Sequence, residues 1–335
     1  MKSLYLLLFC LLFSLASLAQ RYADVGLSTG VVNYIGDLAN EEYIPYSSAN
    51  TGIQLTFRNF LNNQSRSRML YKPLSLEIRL SWQRLQYDET SSLHGKSGME
   101  LRNYLRGLGF RNDLFGFAAN VTYTFYKNHN LSLHKQKWCY FLFAGVGSYL
   151  GQPKADLFRG DIDIANRYYF WNDGSVRDAP ESSGKGNIIK RDGVYETNLR
   201  DWGTEGLGYN KELHREQPYE ICNVGFPMGF GVRYGLNKYL TLSAEFEYVY
   251  IMNDYVDDAS ERYATYDELS ASFPNDPKSL ELAKYISDPT GRGTNGEIGQ
   301  YTSPRGNKKL NDAFTFVSVE LAYKIQWKKE GVYGQ

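Results

Sequence analysis

The sequence predicts an all-β protein, namely an eight-stranded antiparallel transmembrane β-barrel of the outer membrane with long external loops. Three observations support this prediction. Segments that alternate apolar and polar residues occur eight times, the gaps between them are alternately long and short, and aromatic residues gather near the predicted strand ends. A tilted membrane strand needs about 9–11 residues, and outer-membrane barrels combine short periplasmic turns with long external loops and aromatic girdles.

The N-terminal segment has the pattern of an export signal. An apolar run, Leu4–Leu15, follows Lys2, and the small residues Ser17 and Ala19 come next. This arrangement is typical of a secretory signal peptide. We therefore expect residues 1–19 to be removed after Ala19.

Eight period-two segments define the predicted strands. Strict alternation is the pattern of a strand with one apolar face and one polar face. One segment, Trp138–Leu150, is apolar on both faces, so its register stays open. Glycines at polar positions are expected to pack inside the barrel. The segments begin near Ala23, Ile53, Leu74, Phe115, Trp138, Val224, Leu240 and Val317.

The predicted domain organisation follows from these strands. We expect residues 20–327 to form one barrel that crosses the cell outer membrane many times, in contact with outer-membrane lipid, and residues 328–335 to form a periplasmic tail. Two external loops are especially long, at residues 151–220 and 253–312. A secreted β-sandwich or a lipocalin-like barrel is the alternative, in which the apolar residues would point inward. The loop lengths and the aromatic residues favour the membrane barrel.

The interior of the predicted barrel carries charged residues. A barrel of eight strands is too narrow for an aqueous channel because side chains fill it. Charges in such a space must be paired, since desolvation costs several kcal/mol per ion. We therefore expect a structural plug of ion pairs and not a transport path. The candidate residues are Asp24, Arg58, Glu77, Arg79, Glu245, Glu247, Glu320 and Lys324.

The two ends of the barrel differ in charge, although the chain has 37 basic and 37 acidic side chains and no net charge. Zero net charge argues against binding to nucleic acid. The external segments hold acidic residues, and the periplasmic turns hold basic ones, among them Arg58 and Arg233. These charges are either solvated rims or a basic face that docks an acidic partner. The docking candidates are Arg66, Arg68, Lys72, Lys135, Lys137 and Lys238.

Four pieces of sequence resemble the PorG-type outer-membrane proteins of the type IX secretion system. The pieces are Asn33–Leu38, Pro227–Tyr234, Asn253–Ser260 and the stretch from Arg305 to Phe314. Their most specific residues are Gly36, Asp37, Asp254, Tyr255, Asp257 and Asp258. The resemblance implies a small barrel that fixes the periplasmic secretion ring, a lipoprotein and its ring partner, to the outer membrane. The loop at 151–220 is longer than a minimal member needs.

The sequence gives only weak support for cation binding or catalysis. Asp254, Asp257 and Asp258 could bind a hard cation, but their spacing lacks the alternating ligands and the distal glutamate of an EF-hand. The four histidines form no nucleophile–base motif, and no nucleotide or zinc pattern occurs, so we expect no cofactor and no enzyme. The alternative function is a surface adhesin or ligand-binding barrel that works through its long external loops.

Overall fold

A computed structural model describes residues 22–39, 48–60, 73–90, 92, 94–95, 97, 105–127, 133–206, 219–293 and 304–326. Eight strands in these ranges pair antiparallel with their neighbours. The sheet closes because the first strand pairs with the last and the third with the fourth. The predicted eight-stranded antiparallel barrel is therefore confirmed. The strands are β1 (Tyr22–Ile35), β2 (Asn50–Phe60), β3 (Leu74–Asp88), β4 (Gly109–Phe125), β5 (Trp138–Leu150), β6 (Cys222–Gly235), β7 (Leu240–Ile251) and β8 (Ala313–Gln326).

Apolar side chains point out of this barrel and polar ones point into it. Leu27 is 59% exposed and the adjacent Ser28 is 2% exposed. Val121 is 51% exposed and Thr122 is 0% exposed. A barrel in water would have the opposite arrangement, because its apolar residues would fill the interior. The outward apolar surface therefore faces lipid, and the strands span a membrane.

The register of β5 is now fixed. Phe141 and Phe143 are buried inside the barrel, whereas Tyr140 and Leu142 point outward. The two inward rings lie against glycines of β6. A Cβ added at Gly229 would lie 2.6 Å from a ring carbon of Phe143, so the close approach requires glycine there. The expected packing of glycine inside the barrel is confirmed.

Aromatic rings surround the end of the barrel that carries the short turns. The rings of Trp138 and Tyr234 lie 4.5 Å apart between centroids, and those of Tyr239 and Tyr323 lie 6.2 Å apart. Trp138 is 52% exposed. Exposed aromatic rings at this level are typical of the membrane interface.

The long segments at the other end fold into a cap. Its main helices are α2 (Tyr266–Ser272) and α3 (Pro277–Ser287), after a short α1 (Leu133–Gln136) in the turn between β4 and β5. Asp276 caps α3 through Ser279 N, and Pro277 suits its first turn. Among the described residues no helix has the length and apolar character to cross a membrane. The cap also contains 3₁₀ turns at Asp37–Ala39, Ile164–Asn166, Glu181–Ser183 and Leu199–Trp202, and two-residue strands at Lys154–Ala155, Tyr169–Phe170, Val176–Arg177 and Thr197–Asn198.

The cap has its own hydrophobic core, in segments that the sequence predicts as loops. Phe158 and Tyr285 pack edge to face at 5.3 Å between centroids, and Ile286 is fully buried. This core continues into the top of the barrel through Phe110 and Phe314. The described parts of the long segments are therefore folded structure on top of the barrel. The predicted signal peptide at 1–19 and the tail at 328–335 lie outside the described residues.

Candidate functional site

The interior of the barrel holds a network of ion pairs. Glu77 on β3 lies at its centre. Arg58 on β2 places Nε 2.6 Å from one oxygen of Glu77, and Arg79 places Nη2 2.8 Å from the other. Arg58 also reaches Glu320 on β8 at 3.1 Å. Arg58 therefore joins two carboxylates, and Glu77 joins two arginines.

Arg79 crosses the barrel to the opposite wall. Its guanidinium lies 2.5 Å from Glu245 and 3.4 Å from Glu247, both on β7. It also covers the ring of Phe143 at 4.0 Å. The side chains of Arg79, Glu245 and Glu247 are each at least 95% buried. Paired charges and an aromatic ring fill the space that a channel would need.

Arg233 belongs to this network, although the basic composition of the short turns assigns it to the periplasmic end. That assignment is wrong. Arg233 is 2% exposed, donates to Glu77 at 3.0 Å and lies over Phe141 at 4.0 Å. Its position among the polar residues of β6, between Val232 and Tyr234, is the signal that identifies it as inward-facing.

Two further candidates complete the predicted interior set. Asp24 is 4% exposed and lies opposite both Arg58 and Lys324 in the strand register. Lys324 is only half-buried, near the short-turn end of β8. The eight predicted interior residues therefore lie on inward positions, with Lys324 at the rim.

The acidic residues of the resembling motifs meet at the junction between barrel and cap. Asp37, Asp254, Asp257 and Asp258 are 1%, 6%, 1% and 2% exposed. The interpretation of this acidic group as a solvated rim is therefore wrong. Asp312, the residue before β8, joins them and is 1% exposed. We call these five residues the junction carboxylates.

Tyr34, at the end of β1, connects two of the junction carboxylates. Its Oη lies 2.5 Å from Asp257 Oδ2 and 3.2 Å from Asp312 Oδ1. The other oxygen of Asp312 accepts from the backbone N of Val256 at 2.9 Å. A Cβ added at Gly36 would lie 2.1 Å from Tyr34 Oη and 2.2 Å from Asp312 Oδ1. Only glycine fits at this position of the motif.

Asp258 forms a separate set of contacts. Its carboxylate accepts from Thr204 at 2.7 Å and from Tyr219 at 2.8 Å, and lies 3.0 Å from Arg305 Nη1. Tyr255 stacks on Tyr219 with 4.6 Å between the ring centroids. The proposed cation ligands are thus divided, because Asp258 is held by Arg305 while Asp254 and Asp257 lie near Asp37. A cation bound by Asp254, Asp257 and Asp258 stays a prediction.

Arg106 ties the second long segment to the junction, and sequence reasoning missed it. It pairs with Glu89 at 2.5 Å and donates to the carbonyl oxygens of Arg305 at 2.6 Å and Asp37 at 3.0 Å. The residue lies in an irregular segment without periodicity, so its partners left no signal in the sequence.

Three of the junction carboxylates have raised pKa values. Burial, reinforced by the nearby charge of Asp37, raises the pKa of Asp254 to about 8 and that of Asp257 to about 8. Burial and the neighbouring Asp257 also raise the pKa of Asp312 well above its usual range. Part of the cluster is therefore protonated at neutral pH, which lets carboxyl groups and Tyr34 share protons without repulsion.

The short-turn end presents exposed lysines. Lys135, Lys137 and Lys238 are all exposed there. Lys238 Nζ lies 4.7 Å from the ring centroid of Tyr239. The other docking candidates, Arg66, Arg68 and Lys72, lie outside the described residues.

The cap carries an open groove of about 540 Å³. One wall comes from the segment after β5, with Tyr169 and Trp171, and the other from α3 and the residues after it, with Lys284 and Arg292. Arg292 donates to the carbonyl of Phe170 at 3.0 Å and holds the two walls together. Aromatic rings and charges of both signs line this groove.

These observations decide the class of protein. The apolar surface points to lipid, the interior is ionic, and long folded segments cover one end. The fold is that of an outer-membrane β-barrel.

Comparison with known proteins yields remote likenesses only. No protein-family model matches the sequence, and no curated protein matches it. Neisserial surface protein A is 9% identical and is matched over 91% of this chain and 96% of that one, with a TM-score of 0.33. Ail of Yersinia pestis, in complex with the heparin analogue sucrose octasulfate, is 7% identical over 91% and 98%, with a TM-score of 0.31. A major outer membrane protein of Thermus thermophilus is 10% identical over 90% and 99%, with a TM-score of 0.32. Likenesses this remote assign neither a family nor a function.

Proposed function

We propose that this protein is a non-enzymatic outer-membrane component of the type IX protein secretion system, which docks the periplasmic ring to the outer membrane. The observation that supports this proposal best is the convergence of three resembling pieces. Asp37, the aspartates of Asn253–Ser260 and the stretch from Arg305 to Asp312 meet at the junction. Pieces that are far apart in sequence thus form one structural unit, as expected if the resemblance reflects a shared architecture.

The filled interior supports a docking role over transport. Inside the barrel, the single carboxylate of Glu77 contacts three arginines: Arg58, Arg79 and Arg233. A solute path would require breaking these buried pairs, and removing one partner of such a pair costs about 3–5 kcal/mol. A barrel without a path can still serve as an anchor, because its outer surface holds it in lipid.

The exposed lysines supply a surface for the ring proteins. Complementary charge guides association and fixes orientation, and its effect weakens as salt screens it. Lys135, Lys137 and Lys238 lie at the end that outer-membrane barrels place in the periplasm. An acidic surface on the lipoprotein or on its ring partner would complement them.

Charge reversal tests this proposal. The test variant carries Lys135→Glu, Lys137→Glu and Lys238→Glu, and a second variant adds Arg66→Glu, Arg68→Glu and Lys72→Glu. The matched control carries three reversals at exposed lysines of the cap: Lys185→Glu, Lys190→Glu and Lys278→Glu. We expect the test variants, and not the control, to lose the ring proteins in a pull-down and to stop secretion. Retention of both by the six-residue variant would contradict the docking role.

The groove favours a second candidate function, a surface adhesin or ligand-binding barrel. Tyr169, Trp171 and Arg292 line an opening of about 540 Å³ at the external end, and aromatic side chains with a few polar groups are typical of ligand sites. Under this hypothesis Trp171→Ala with Arg292→Ala abolishes adhesion or ligand uptake, while the lysine reversals have no effect. The two hypotheses therefore predict loss of function in different variants.

A further inference from the structure

A second acidic group lies in the cap segment between β5 and β6, away from the junction carboxylates. Asp156, Asp192 and Glu196 each offer a carboxylate oxygen, and these oxygens all lie within 4.8 Å of one another. Among the residues that the structure describes, this is the one group of acidic, histidine or cysteine side chains with such spacing. No motif in the sequence marks these three residues as a site.

In two of these three carboxylates, one oxygen accepts a hydrogen bond from the loop backbone. The second oxygen of each has no partner. Asp156 Oδ2 accepts from Gly193 N at 3.0 Å, and Glu196 Oε1 accepts from Leu157 N at 3.0 Å. Asp156 Oδ1 and Glu196 Oε2 are both buried and have no hydrogen-bond partner. Asp156 is 5% exposed as a residue. Buried polar atoms are almost always satisfied, so these two oxygens are available to coordinate a ligand.

Among the described residues, one cation, Arg191, acts on the carboxylates of this group, and it is shared with another acidic residue. Arg191 is the nearby cation, but it is paired with Asp88 and also donates to Thr90 at 3.2 Å. Burial, with a further contribution from Glu196, raises the pKa of Asp156 to about 6. Three acidic side chains that share one cation, itself paired with Asp88, favour the binding of a further cation at neutral pH.

We propose that Asp156, Asp192 and Glu196 form a Ca²⁺ site that fastens the cap segment between β5 and β6. Ca²⁺ binds carboxylate oxygens at about 2.3–2.6 Å, so opposite ligands of one ion lie up to about 5 Å apart. Mg²⁺ demands about 2.0–2.1 Å and near-ideal octahedral geometry, which limits opposite ligands to about 4 Å. The three oxygens lie within 4.8 Å of one another, which is inside the Ca²⁺ limit, and the flexible coordination of Ca²⁺ tolerates unequal separations. This site is independent of the secretion role.

The bound ion would hold the two ends of the segment together. Asp156 follows the short strand Lys154–Ala155, and Glu196 precedes Thr197–Asn198, which pairs with it. Asp192 lies close to both of them, and its backbone N donates to Tyr168 Oη at 3.0 Å. Ca²⁺ would thus close the base of the loop that carries Tyr169 and Trp171 to the groove.

Terbium luminescence tests the site on the full-length barrel in detergent. Tb³⁺ replaces Ca²⁺ on oxygen ligands, and Tyr168 lies close enough to sensitise its emission. We expect saturable emission that Ca²⁺ displaces at concentrations at which Mg²⁺ does not. Asp156→Asn and Glu196→Gln should each weaken binding at least tenfold. Asp161→Asn, an exposed aspartate of the same segment, is the matched control and should bind as the unmodified protein does.

Trypsin gives an independent measurement, because Arg159, Lys185 and Lys190 lie within the fastened segment. Ca²⁺ should slow cleavage there in the unmodified protein and in Asp161→Asn, and should give no protection in Asp156→Asn. Heat-modifiable migration on gels shows that each variant is still a folded barrel. Absence of saturable binding, displacement by Mg²⁺ as readily as by Ca²⁺, or binding that survives Asp156→Asn and is lost in Asp254→Asn would overturn the proposal.

Discussion

Arg79 and Glu245 meet at 2.5 Å inside the barrel, although they lie on opposite walls and 166 residues apart in the sequence. In the order of strands around the barrel, β3 and β7 are four steps apart in either direction. A single guanidinium therefore spans the interior. Because both side chains are buried, this contact depends on the complete barrel having formed.

The first prediction concerns Glu77, the acceptor for three arginines. Glu77→Gln should lower the free energy of unfolding by about 3–5 kcal/mol, because it removes the carboxylate that three buried arginines share. Urea titration followed by heat-modifiable gel migration measures the loss. Asp113→Asn is the matched control, since Asp113 pairs with Arg84 at 2.7 Å but is about one-third exposed. The control substitution should lower the free energy of unfolding by at most about 1 kcal/mol. Equal costs for the two variants would show that the interior network is not energetically important.

The second prediction is the pH dependence of the cap. The pKa values of Asp254 and Asp257 are about 8 in the folded protein, against about 3.9 for an unperturbed aspartate. The folded state therefore binds more protons than the unfolded state between these values. Cap stability should be full below pH 4 and should fall progressively as the pH rises to about 8. Limited proteolysis of the cap across this range measures the change.

Asp254→Asn separates this effect from other titrations. The amide resembles the protonated carboxyl in shape and lacks charge, so the variant should resist proteolysis at pH 8 better than the unmodified protein. At pH 4 the two should be similar. Asp267→Asn, an exposed aspartate on α2, is the control and should follow the unmodified protein at both pH values. A cap that becomes more stable as the pH rises would contradict the raised pKa values.

The third prediction concerns Gly36. Gly36→Ala should destabilise the cap by about 1–3 kcal/mol, because the new methyl group would displace Tyr34 and Asp312 from each other. Gly186→Ala is the control within the cap, since the nearest atoms to its added Cβ lie 3.4 Å away. The protease sensitivity of the cap reports the difference. Equal sensitivity of both variants would show that the junction tolerates a side chain at this position.

The sequence predicts the barrel well because its pattern has a period of two and requires no knowledge of distant contacts. Alternation identifies the inward positions of Glu77 and Glu320, and the same rule applied to β6 would have placed Arg233 with them. The junction and the cap are different. Arg106 and Asp156 lie in irregular segments, and their partners are set by tertiary packing that no local pattern encodes.

The aspartates at the junction show the same limit of prediction from sequence. Asp254, Asp257 and Asp258 have the composition of a solvated acidic loop, and the sequence carries no sign that the cap covers them. Their burial depends on Tyr34 and Arg305, which are distant in sequence. The resemblance grouped these residues, whereas composition alone favoured the surface.

The central claim is that the outward apolar side chains face lipid, and one pair of leucines tests it directly. Leu321 on β8 is 50% exposed and Leu310 in the cap is 56% exposed. The two leucines are therefore similarly exposed, but one lies in the barrel wall and the other in the cap. The measurement is the fraction of protein that folds into lipid vesicles as urea is diluted. Leu321→Arg should lose about 2–4 kcal/mol of folding free energy, whereas Leu310→Arg should fold as the unmodified protein does. Equal folding of both variants would contradict the membrane barrel.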